Sequence, residues 1–241
     1  VPAWLPTPAN LRMRRAVRVL DGFLERLVDD GGGAGGLLGP LREAHGTGPA
    51  ARRAIRDDLV TFFVAGHDTS ASALAWTLHL LSRHPAVRRR LVAEVREVLG
   101  EDPPTARDLT RLRWVEAVVR EALRLYPPAW MLAREALRDD VIAGRRIPAG
   151  ATVLVSAWVT QRRAELWPAP EVFDPERFSP GAVGERPRFA WFPFGGGPRV
   201  CVGASFAMAE MKLVLAVLHQ RLELEAVDAR EVRPTARMTL E

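Results

Sequence analysis

The stretch Phe194-Gly195-Gly196-Gly197-Pro198-Arg199-Val200-Cys201-Val202-Gly203 holds the one cysteine of this 241-residue chain, directly ahead of an apolar, helix-forming segment. A lone thiol is an inert core residue, a nucleophile or a metal ligand, and it excludes an internal disulfide. A thiolate that binds a metal needs backbone N–H groups close to sulfur, and glycines permit that approach and the unusual dihedrals it demands. It also needs positive potential. A helix starting just after Cys201 supplies this, worth about 0.3–1 kcal/mol and somewhat more when buried. Arg199, two residues earlier, suits a cofactor carboxylate. Phe194 can shield the sulfur from water and tune its donor strength. The bland alternative is a glycine-rich turn with a buried cysteine. If each of the five fixed positions of Phe-x-x-Gly-x-Arg-x-Cys-x-Gly matched about one time in twenty, a chance hit in this chain would be rarer than about one in a thousand.

Outward from this loop, Gly203–Leu222 has helical periodicity, while Glu165–Pro198 is rich in proline, glycine and aromatics without a period. So long an irregular stretch usually has a functional reason. Asp140–Ser156 reads as short strands with tight turns. Leu112–Leu125 predicts a helix stopped by Pro127 and Pro128, Pro85 opens another that runs to Leu99, and Arg52–Arg83 is a long helix. Leu59 to Leu81 within it is apolar nearly all round, which predicts burial. Leu11–Asp30 is a further helix, ended by five glycines in Gly31–Gly36, and Val1–Asn10 is expected to be irregular. The predicted architecture is mainly α with a small β portion, and no second domain is evident.

Three further patterns carry chemistry. Ala65-Gly66-His67-Asp68-Thr69 sets an acid and a hydroxyl inside the long apolar helix. Ala65 and Gly66 leave a groove for a flat cofactor and a diatomic ligand, and a buried acid–alcohol pair calls for polar partners, with water a natural one. The alternative is a packing notch with a satisfied Asp–Thr pair. Glu121-Ala122-Leu123-Arg124 places opposite charges at i and i+3 on one helix face, a common surface pattern when taken alone. Pro175-Glu176-Arg177-Phe178 follows downstream. Arg134 stands ten residues after Arg124 and is either a carboxylate-binding arginine or a surface arginine on a strand.

Composition narrows the classes. Hydrophobic residues make up 48% and charged residues 26%, ordinary values for a globular protein. All but one of the 34 basic residues are arginine, Lys212 being the exception, and the formal net charge is +5. The arginines are scattered among 29 acids. That pattern makes no basic stripe and argues against nucleic-acid binding. The longest apolar runs, Leu59–Gly66 and Leu213–Leu218, fall far short of the roughly 20 residues of a membrane span.

Together these segments resemble the cytochrome P450 superfamily, the haem-thiolate monooxygenases, along nearly the whole chain and in the family's order: oxygen helix, Glu-x-x-Arg helix, short strands, Pro-Glu-Arg-Phe segment, cysteine loop, last helix. The resemblance implies a partial P450 fold with a long helix over haem b (iron protoporphyrin IX). It makes Cys201 the axial iron ligand, with Phe194, Gly197 and Gly203 forming its loop. Arg199 and Arg134 become propionate partners, and Ala65 and Gly66 line the oxygen groove. Asp68 and Thr69 become the pair that delivers protons to bound dioxygen. Glu121, Arg124 and Arg177 become a buried ion network for folding and cofactor retention. Thr160-Gln161-Arg162-Arg163 lacks the histidine many relatives carry and is assigned no function. The implied activity is insertion of one oxygen atom of dioxygen into an apolar small-molecule substrate, by hydroxylation or epoxidation. Electrons would come from a ferredoxin or a flavoprotein reductase, in a cytoplasmic, bacterial-type soluble setting. Residues 1–241 are expected to form a single haem-binding domain truncated at both ends, weakly active or inactive alone. The alternatives are a peroxide-dependent haem-thiolate enzyme, against which the Asp68–Thr69 pair argues, and a non-catalytic haem-binding fragment.

Overall fold

A computed structural model describes residues 2, 4–30, 36–181, 186–227 and 232–240. The chain divides into two compact units, residues 1–67 and 68–241.

In the first unit, helix α1 (Pro8–Asp29) begins three residues earlier than its apolar pattern predicts, inside the segment expected to be irregular. The reason is local. Thr7 caps the helix by accepting the Asn10 N–H through Oγ1 at 3.2 Å, and Pro8 sits in the first turn, where its missing N–H costs nothing. Helix α2 (Leu38–His45) has no counterpart among the predicted elements, because eight residues give little periodicity. Leu24 and Val28 of α1, Leu38 and Leu41 of α2, and Ile55 and Leu59 of helix α3 (Pro49–Arg83) form one small core. Arg52 pairs with Asp29 and Arg56 with Asp21 around it. The glycine loop predicted at 31–36 lies outside the described residues except for Gly36.

The second unit is built around α5 (Arg113–Leu125), ten of whose thirteen residues are buried. Its start is anchored by a carboxylate: Glu94 accepts the Trp114 and Val115 N–H groups at 2.7 and 2.8 Å. A negative charge is stabilised there by the helix dipole and the unpaired first-turn donors. Val115, Val118 and Ala122 pack with Leu91 and Val95 of α4 (Pro85–Leu99) and with Leu215 and Ala216 of α7 (Ala204–Arg221). Full burial of such a side chain contributes about 1.5–3 kcal/mol. Trp167, Phe173 and Phe178, from the proline-rich segment, complete this core. The described part of that segment carries turns and a 3-10 turn at Pro175–Phe178, without a longer helix or a strand.

The β portion is two antiparallel pairs. β1 (Met131–Glu135) pairs with β4 (Thr152–Ser156), setting Arg134 opposite Val153. β2 (Asp140–Ile142) and β3 (Arg145–Ile147) form a hairpin whose two-residue turn, Ala143-Gly144, has both φ angles positive, as such turns require. β1 lies outside the stretch read as strands, because its partner is far away in sequence. A short α6 (Ala157–Thr160) follows β4.

The expected burial of α3 from Leu59 to Leu81 needs correction. Leu59, Ala73, Trp76, Leu80 and Leu81 are buried, but Phe63 and Val64 are 50% and 52% exposed, and the residues from Ala65 to Asp68 are exposed too. An all-round apolar pattern says that a helix can be covered on every side. It does not say that these residues supply every side. Among the described residues, no helix is long and apolar enough to cross a membrane.

Candidate haem-thiolate site

The cysteine loop is held by its own backbone. The Cys201 N–H donates to the Phe194 carbonyl at 2.9 Å, the Val200 N–H to Gly197 at 3.1 Å, and the Gly195 N–H to Phe192 at 2.9 Å. Gly195 and Gly197 have φ of 74° and 72°, a region costly for side-chain-bearing residues. Gly197–Arg199 forms a 3-10 turn, and Gly203 caps α7. Gly196 is required for a different reason, since a Cβ there would lie 2.6 Å from the Phe189 ring. A Cβ on Gly203 would sit 3.8 Å from the Cys201 sulfur, an ordinary contact that places Gly203 next to the thiol. Cys201 is exposed, contrary to the buried-cysteine alternative, and lies two residues before the cap of α7.

Beside the loop is a cavity of about 270 Å³ lined by Leu132, Arg134, Val155, Phe189, Phe192, Gly196 and Gly197. It is apolar apart from one guanidinium. Arg134, exposed on β1, gives one N–H to the carbonyl of Ala133 at 2.8 Å, and tertiary pairing brings it to the same cavity as Gly197. Arg199 is exposed and has no ion-pair partner among the described residues. The Phe194 ring packs edge-on against Trp191, with centroids 6.2 Å apart, on the core side of the loop.

Behind this region, Glu121 and Arg124 are fully buried and joined by two hydrogen bonds of 2.7 and 2.8 Å. The remaining Arg124 donors reach the carbonyls of Gln161, Pro170 and Val172 at 2.9, 2.7 and 3.1 Å. Glu121 also accepts the Asp174 N–H at 3.0 Å. Arg177 approaches Glu121 at 3.4 Å through Nε, but that nitrogen makes no hydrogen bond, so the attraction is purely electrostatic. Burial pushes the Glu121 carboxyl above its ordinary range, while Arg124, the Asp174 N–H and Arg177 pull it back. These are the three residues that the resemblance implied would form a network, and they are together in space.

Gln161 is what sequence reasoning missed. It is fully buried, donates from Nε2 to the carbonyls of Leu123 and Arg124 at 3.1 Å each, and accepts the Phe192 N–H at 2.8 Å. Carbonyls on one side and an N–H on the other leave a single orientation for the amide. Since the Phe192 carbonyl in turn accepts the Gly195 N–H, Gln161 links the end of α5 to the cysteine loop. Its one legible signal was an amide at the end of a short apolar run; its partners lie 31 to 38 residues away.

Asp68 is exposed on α3 rather than enclosed, and Oδ2 accepts the Thr239 hydroxyl at 2.9 Å. Thr69 is half-buried on the same helix. Ala65 and Gly66 are exposed in the first unit.

The donor set fits an iron porphyrin: one exposed thiol on a rigid loop at a helix N-terminus, an apolar cavity alongside, and two arginines able to meet carboxylates. Comparison with known proteins points the same way. The family model described as Cytochrome P450 matches residues 42–239. Cyclooctatin synthase of Streptomyces melanosporofaciens is 38% identical over 99% of this chain and 54% of its own length. Pentalenene oxygenase of Streptomyces avermitilis is 37% identical over 98% of the chain and 54% of its own. The crystal structure of the cytochrome P450DA heme domain superposes with a TM-score of 0.84 at 32% identity, covering 93% of this chain and 51% of that one. The chain thus spans about half the length of the curated relatives it matches.

Proposed function

The chain belongs to the cytochrome P450 family, and on that premise we propose that it is the iron-ligating portion of a haem-thiolate monooxygenase acting on an apolar organic substrate. The observation that carries this reading is the single thiol, Cys201, presented on a braced glycine loop beside an apolar cavity with an arginine in its wall. Haem, as iron protoporphyrin IX, supplies the activation of dioxygen when bound. Cys201 Sγ would hold its iron as a thiolate, the charge favoured by the N-terminus of α7. Arg134 and Arg199 would meet its carboxylates, and Phe189, Phe192, Leu132 and Val155 make the cavity wall apolar and would keep water out. Phe194 braces the loop through its carbonyl and its packing on Trp191. Asp68 and Thr69 hold and pass protons on α3. Glu121, Arg124 and Arg177 keep the frame behind the loop in register.

Electrons come from a ferredoxin or flavoprotein reductase, as the family membership implies. Relatives named for pentalenene and for cyclooctat-9-en-7-ol favour an apolar hydrocarbon or alcohol as substrate, with hydroxylation or epoxidation as the outcome. The test is the carbon monoxide complex of the reduced protein. Wild type is expected to show the long-wavelength Soret band of thiolate-ligated haem and Cys201→Ser to lose it. A band that survives the substitution overturns the assignment.

A further inference from the structure

The acid of α3 has a partner from the opposite end of the chain, 171 residues away: Thr239 Oγ1 donates to Asp68 Oδ2 at 2.9 Å. Thr239 is 6% exposed, whereas Asp68 is exposed. The segment that carries Thr239, Ala236–Leu240, closes on itself through a bridge between its two ends. It is secured by bonds that do not involve the threonine side chain. The Leu240 carbonyl accepts the Ser72 hydroxyl at 2.5 Å and the Trp76 indole N–H at 3.3 Å, and the Leu240 N–H donates to the Pro128 carbonyl at 3.1 Å. The Trp130 indole donates to the Arg237 carbonyl at 2.9 Å. The strap is therefore held along α3 and the residues after α5 whether or not Thr239 carries a hydroxyl. What the hydroxyl adds is a fixed orientation for one carboxylate oxygen, while Asp68 Oδ1 has no partner among the described residues.

We propose that Thr239 is a positioning residue for Asp68: the C-terminal strap pins Oδ2 so that Oδ1 is presented for proton exchange. This rests on the proton-handling role given to Asp68 above. A carboxylate on a helix surface otherwise samples several χ1 and χ2 states, and restricting them before reaction is the general means by which an enzyme lowers the entropic part of a barrier. Any proton moved is taken up and released at the same carboxylate, so the step balances without a further reactant.

The experiment uses the complete protein and compares Thr239→Val, Thr239→Ser and Asp68→Asn. The readouts are product formed per reductant consumed, the ¹³C resonance of the Asp68 carboxyl carbon, and hydrogen exchange of the Leu240 amide. Thr239→Val is expected to lower coupling about two- to tenfold, less than the roughly 10²–10⁴-fold attached to losing a general acid outright. It should also shift the Asp68 carboxyl resonance and leave Leu240 exchange and haem content unchanged. Thr239→Ser is expected to restore both coupling and resonance. If Asp68→Asn uncouples and Thr239→Val does not, this inference fails and the role of Asp68 stands. A Val variant that uncouples only with faster Leu240 exchange and no rescue by Ser also overturns it, since the threonine then merely anchors the tail. If Asp68→Asn leaves coupling unchanged, the role of Asp68 falls and this inference with it.

Discussion

Two neighbouring regions of the second unit are built on opposite terms. Glu121 and Arg124 are fully buried, and their polar contacts, apart from that between Glu121 and Arg177, are hydrogen bonds to fixed groups. In the cysteine loop the backbone is equally well bonded, but the Cys201 and Arg199 side chains, and that of Arg134 on β1 at the adjoining cavity, are exposed. The first region turns its polar groups on the protein itself, while the second keeps them available. A buried ion pair is weak evidence for net stability, yet removing one partner is costly, because the other is left uncompensated. An exposed ligand can be replaced with little effect on folding. The same chain thus separates the residues that set the frame from those proposed to do the chemistry, and substitutions should tell them apart.

The largest expected effect is on the frame. Arg124→Ala should destabilise the chain by about 3–5 kcal/mol in a denaturant titration and remove haem retention, because it strands Glu121 and frees three carbonyls at once. Glu121→Ala should cost somewhat less, since Arg124 keeps those carbonyls. Equal stability of variant and wild type would show that the buried pair does not set the frame and would erase the contrast. Gln161→Leu comes next, at about 1–3 kcal/mol for the buried Phe192 N–H and the two carbonyls it orphans. Because Gln161 joins the two regions, its loss should also broaden the Soret band in holoprotein. A stability loss with an unaltered spectrum would confine Gln161 to the frame. Gly196→Ala should cost about 1–3 kcal/mol of overpacking against Phe189, measurable as a lower melting temperature, and Phe189→Leu in the same chain should recover most of it. The smallest effect on stability belongs to Cys201→Ser, within about 0.5 kcal/mol as for other exposed substitutions, although it abolishes the thiolate spectrum completely. A large folding defect in Cys201→Ser would break the comparison from its other side.

Much of this was legible in local sequence. The glycine loop, the helix that follows it, the proline-marked start of α4 and end of α5 and the Glu-x-x-Arg pair depend on dihedral preferences and i,i+3 spacing within about ten residues. Those are short-range quantities, and a sequence states them directly. The mainly helical class followed from the same periodicities.

What the sequence could not state is which distant groups meet. Arg134 joins the cysteine loop because β1 pairs with a strand that returns some twenty residues later. Gln161 becomes a link, and Asp68 gains Thr239 as a partner, only once segments 31 to 171 residues apart are packed together. The exposed middle of α3 makes the same point in reverse, since its apolar pattern records what can cover a helix and only the tertiary structure says what does. The physical reason is that local structure is selected residue by residue from backbone sterics. Satisfaction of buried polar groups is selected by the whole packed arrangement, in which each donor takes whatever acceptor the returning chain brings within hydrogen-bond reach.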